Sequence, residues 1–289
     1  MAFERKKILL GQAGVAALLI GLTSCSPANE GEGEGESAVS GGGEEGGYSV
    51  PVGEGESGEG EGDEGPGGGE FGIKPSQAAE NPVTFMTALE VMRAHYLAGL
   101  AAYEIDRRAV AAEMFTHPIS EIYIDLEDVL IGLEAPLFGD QLATAAAAPF
   151  DGSSDDEIRA AAHAVMAAID EAENHAPQSD HSAASIQAQV LTNMIVRAAL
   201  QYEFAMASDV RNSPYLDGYG FFKSAETIAT RHMDEIRNLD TGVADALSNA
   251  MTSLAIAYPT VLAPDELAID ADDLIDLADI ASAATERLE

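Results

Sequence analysis

The chain has 289 residues and a formal net charge of −36, from 14 Lys and Arg against 50 Asp and Glu. So acidic a chain offers no broad basic surface for nucleic acid. Its single cysteine excludes a disulfide framework and a cysteine-rich zinc site.

The charge is unevenly spread, and the chain reads as three zones. Residues 1–25 begin with Arg5, Lys6 and Lys7 and continue into an apolar run from Ile8 to Leu22. The run is too short and too interrupted for a membrane span, so it reads as a secretory signal. It ends in Leu22-Thr23-Ser24-Cys25, which resembles the bacterial lipobox. That resemblance implies cleavage before Cys25 and lipid attachment there; the alternative is an ordinary signal peptide with an incidental cysteine. Each buried lipid methylene contributes ~0.8 kcal/mol, so several acyl chains anchor firmly. Ser26, where an Asp would signal retention, implies the outer membrane facing the periplasm in a cell that has one.

Residues 26–72 hold 18 Gly, 12 Glu and one Asp, with no Lys or Arg. Runs such as EGEGEGE have no hydrophobic period and little apolar area to offset ordering entropy, which predicts a disordered acidic tether. As a Gly-rich coil it would span roughly 40 Å. Its alternative use is a weak, unselective cation trap.

Residues 73–289 carry 36 acids and 11 bases and are rich in Ala. Asn81-Pro82 marks a helix start. The stripe Phe85, Leu89, Met92, Tyr96, Leu100, Tyr103 has a helical period. A break at 104–107 precedes a helix over 108–116. Pro118 ends it and starts another, with Ile119, Ile122, Leu126, Val129 and Leu133 on one face. Pro136 and the 149–152 segment punctuate the next stretch. Further helices are predicted over 155–174, 182–211, 217–238, 242–257 and 270–288, with a turn at Asn212-Ser213-Pro214. The sum is an all-α domain, an antiparallel bundle of about seven to nine helices.

No HExxH, GxSxG, P-loop or dinucleotide fingerprint occurs, so the reading is a non-enzymatic protein. Candidate chemistry then rests on histidines and acids. His117, Glu121 and Asp125 recur at four-residue steps, which puts them on one helical face. Such a set suits a metal ion, or it is simply the solvated side of the helix. His95 shares a stripe with Ala88, Val91, Gly99 and Ala102, small residues that admit a close neighbouring helix; it is a core histidine or a ligand. His232 has Glu235 on its face, a further candidate pair. In the segment NSPYLDGYGFF, Tyr215 and Asp217 are possible additional ligands, while the aromatics are expected to anchor a turn on the core.

The segments AHYLAGLAAYE, FTHPISEIYIDLEDVL and YLDGYGFFKSAETI, the last preceded by QYEFAM, together resemble a helical extracytoplasmic module. It accompanies bacterial high-affinity iron permeases and is distantly similar to imelysin-like proteins. The resemblance matches His95 and Tyr103, then His117, Glu121 and Tyr123, then Tyr202, Tyr215, Asp217 and Phe221. Gln201 and Pro214 stand where that module has acids. It implies a lipid-anchored protein that binds or buffers iron, or another divalent or trivalent transition metal, in support of metal uptake, with a metal-transport or envelope protein as partner. The rival expectation is an acidic helical scaffold that docks a protein partner at the envelope without metal.

Overall fold

The computed structural model describes residues 73–207 and 211–288. The proposed signal, the Cys25 lipidation site and the acidic tether lie outside the described residues. The described part is all helical, with no strand among its residues. Its α-helices are α1 (Pro75–Ala78), α2 (Pro82–Glu104), α3 (Arg108–His117), α4 (Ile124–Gly132), α5 (Gly139–Ala147), α6 (Asp155–Glu173), α7 (Ala183–Ala207), α8 (Asn212–Leu239), α9 (Thr241–Ala257) and α10 (Ala271–Thr285). A π-helical segment, Pro118–Tyr123, joins α3 to α4. No helix among the described residues is long and apolar enough to cross a membrane.

Capping fixes where several helices begin. Asn81 accepts hydrogen bonds from the Val83 and Thr84 amides and Pro82 follows at the first helical position. Ser154 and Glu157 form a reciprocal capping box on α6, and three acids occupy its first turn. Asp240 and Asp270 cap α9 and α10.

The core is built around α2, which is buried on nearly every side and packs against α3, α6, α7 and α8. The α7–α8 pair forms the most extensive helix contact. Small residues let backbones approach. A Cβ at Gly220 would lie 2.5 Å from the Ala94 carbonyl oxygen, so only glycine allows α8 this close to α2. A Cβ at Gly99 would meet the Phe115 ring at 2.5 Å, and the same reasoning brings α3 onto α2.

Around the start of α8, three tyrosines tie segments together through their hydroxyls. Tyr215 donates to the Ala257 carbonyl (3.1 Å), Tyr258 to Ala198 (2.6 Å) and Tyr202 to Ile269 (3.2 Å). Each side chain adds apolar burial while its one polar atom stays satisfied.

Three details differ from the sequence expectation. The segment 212–222 is not a turn but the first turns of α8. Pro214 is tolerated there because the first amides of a helix have no intrahelical acceptor to lose. α5 was not expected: its Ala-rich stretch has high helix propensity, but prolines on both sides read as loop. Finally, Pro118 does not separate two helices; the chain continues through it by widening into the π segment.

Candidate metal centre

His95 sits on α2, faces the core and is 3 % exposed. Its Nδ1 lies 2.8 Å from the Val91 carbonyl oxygen, one turn back on the same helix. A carbonyl can only accept, so Nδ1 carries a proton, and in the neutral ring Nε2 is the nitrogen with the lone pair. The backbone thus orients the ring for coordination as the outer partners of metal-binding histidines do.

His117 is the last residue of α3, and its ring meets that of His95 edge-on, 5.7 Å between centroids. Its Nδ1 is buried and makes no hydrogen bond. Its Nε2 points toward Glu113, one turn earlier, with 3.9 Å to Oε1, which is too long for a hydrogen bond. Glu113 was missed by sequence reasoning, although its i, i+4 spacing to His117 is visible there.

Glu121 follows in the π-helical segment, with its side chain toward solvent. One ring nitrogen of His95, one of His117 and one carboxylate oxygen of Glu121 all lie within 4.8 Å of one another. The π segment packs against α2 and carries Glu121 directly after His117; such turns recur at functional sites.

The remaining candidates are placed differently. Asp217 lines an enclosed crevice with Ala94, His95, Ala98 and Phe221, on the α8 side of His95, but it is not among the three converging ligands. The Phe221 ring stands edge-on to His95 at 6.4 Å and makes that wall apolar. Asp125 is exposed and shares an outer crevice with Glu121, Ile122, Leu126, Ala88, Ile73 and Pro75. Tyr215 is fully buried and bonded to Ala257, and burial pushes its phenol up to about 12, which keeps the hydroxyl neutral. His232 and Glu235 pair with each other (3.5 Å) on the outer face of α8. They lie about 22 Å along the helix from Asp217 by helical rise, so they form no part of the cluster.

Comparison of the chain with protein-family models, with curated proteins and with solved structures gives no match. The cluster therefore has to be read from its own chemistry. Two imidazoles and a carboxylate form a borderline-to-hard donor set suited to first-row transition metals. Three protein ligands leave coordination positions for water or an exchangeable ligand.

Proposed function

We infer that this domain binds a transition-metal ion, iron foremost, through His95, His117 and Glu121, without being an enzyme. Lipid on Cys25 would hold it outside the cytoplasm, on the outer membrane facing the periplasm in a cell that has one. There it would buffer metal and pass it to a transport or envelope partner. The observation that carries this reading is the convergence of two imidazole nitrogens and one carboxylate oxygen within 4.8 Å. One buried, one half-buried and one exposed ligand suit a site that takes up and releases its cargo. The imidazoles must be neutral to coordinate, so affinity falls as the medium turns acidic.

The test is isothermal calorimetry on the full-length chain in detergent, titrated with ferrous iron under anaerobic conditions and with zinc. Saturable binding of one ion is expected, with loss of at least tenfold in affinity for the His117→Ala, Glu121→Ala double variant. Unchanged binding in that variant would overturn the assignment of the site.

A further inference from the structure

A second cluster of charged groups lies on another face of α2, away from the metal ligands. Glu90 and Arg93 are both 3 % exposed. Burying two charges in this way is costly unless every polar atom is engaged, and here the engagement crosses three helices. Arg93 Nε donates to Glu90 Oε1 (3.0 Å) within α2. From the same guanidinium, Nη2 donates to Asp170 Oδ1 (3.0 Å) and Glu173 Oε1 (2.6 Å) on α6. On the α8 side, Ser224 Oγ donates to Glu90 Oε2 (2.5 Å), and Arg231 Nη1 donates to Asp170 Oδ1 (3.1 Å). Glu90 and Glu173 thus sit against neighbouring nitrogens, Nε and Nη2, of one buried guanidinium.

The charge count of this cluster does not balance with every acid ionised. Glu90, Asp170 and Glu173 would give −3 against +2 from Arg93 and Arg231. Arg231 reaches only Asp170, at the half-exposed rim. Inside, one guanidinium serves both Glu90 and Glu173, and two like charges held this close in a buried site favour a proton on one of them. Adding one proton to the pair brings the cluster to zero and supplies the donor that a Glu90–Glu173 hydrogen bond requires.

We propose that Glu173 keeps its proton and donates it in a hydrogen bond to Glu90 across the α2–α6 interface, making a clasp that grips these helices more firmly in acidic surroundings than in alkaline ones. The proton sits on Glu173, whose carboxyl is pushed up to about 7 by its burial first and by the facing Glu90 second, against the pull of Arg93. Below the ordinary glutamate value of 4.5, folded and unfolded chains are both protonated at this position. Between there and about 7 the folded chain alone keeps the proton, so the stability it contributes falls steadily across that range and is gone once pH has risen through the upper value. Arg93 is held above its usual value: burial opposes its charge, and Glu90, Glu173 and Asp170 more than offset that. It therefore stays cationic throughout and does not act as the switch.

The test compares wild type with Glu173→Gln, a near-isosteric mimic of the protonated acid, by thermal unfolding of the full-length chain at pH 5.5 and 8. A variant midpoint that exceeds the wild-type one by a small margin at pH 5.5 and by several degrees more at pH 8 is expected. A variant that loses the same stability at both pH values would overturn the proposal, because Glu173 would then be an ordinary ionised partner of Arg93. Infrared spectroscopy of the wild type gives a second readout that does not depend on the variant folding. A carboxylic-acid carbonyl band should be present at pH 6.5 and vanish by pH 8.5; its absence at pH 6.5 would equally overturn the proposal.

Discussion

At the scale of single residues, this domain sorts its polar side chains by whether the backbone has already claimed them. Tyr215, Tyr202 and Tyr258 each spend their hydroxyl on a carbonyl of another segment, so they are fastenings. His95 is the informative opposite case. Its Nδ1 is claimed by Val91, and that claim fixes where the other nitrogen's lone pair points. The distinction has a measurable consequence at Tyr215, which the sequence alone offers as a metal ligand. Tyr215→Phe keeps the ring and its packing against Tyr258 but leaves the Ala257 carbonyl without its donor. The expected loss is about 1 kcal/mol in urea unfolding, with unchanged metal affinity by calorimetry. A large loss of affinity at normal stability would return Tyr215 to the ligand set.

At the scale of elements, glycine and alanine decide which helices can meet. Gly220 lies against the Ala94 and Ala98 stretch of α2, one residue from Phe221, which flanks His95. Gly220→Ala drives a methyl into a backbone carbonyl that cannot rotate away. A loss of about 1–3 kcal/mol is expected, as for overpacked cores, together with weakened metal binding as α8 shifts from His95. Wild-type stability by thermal melt would show that the contact is softer than its geometry implies. A different stripe of α2, Ala88, Val91, Gly99 and Ala102, is what made His95 legible in the sequence as a residue facing a close neighbour, and Gly99 does meet Phe115 of α3. Long helices with a clear apolar period, such as α2 and α6, were legible too. α5 and the start of α8 were not. Their alanine and proline content reads as loop when only local signals are weighed, while burial of Leu142 and Tyr215 by distant helices settles them as helix. The His117–Glu121 pair was visible as a spacing, but its meeting with His95 depends on α3 folding back onto α2. The Glu90–Glu173 clasp was not legible at all. Its partners stand 83 positions apart, and nothing local says that α6 will lie along α2.

At the scale of the whole molecule, charge works against the fold that the core supports. Residues 73–289 carry 36 acids and 11 bases, and an excess of this size destabilises a compact state by self-repulsion. Only a few of the acids are tied to cations; most, such as Asp272, Asp273, Asp276 and Asp279 along α10, face solvent. Exposed repulsion is screened once the Debye length falls below the charge spacing, from about 30 Å at 0.01 M salt to about 3 Å at 1 M. The unfolding midpoint should therefore rise smoothly between those limits with sodium chloride, and equally for other monovalent salts at matched ionic strength. The same argument separates a polyanion from a binding site. Magnesium added at fixed ionic strength should raise the midpoint only gradually, since hydrated magnesium prefers oxygen ligands and gains little from imidazole. Zinc or ferrous iron should instead give a rise that sets in near the dissociation constant and follows the logarithm of metal concentration above it, and that disappears in the His117→Ala, Glu121→Ala double variant. If magnesium matched zinc in both the size of the rise and the concentration at which it sets in, the acidic surface as a whole would be the cation binder, and the three-residue cluster would have no special share in it.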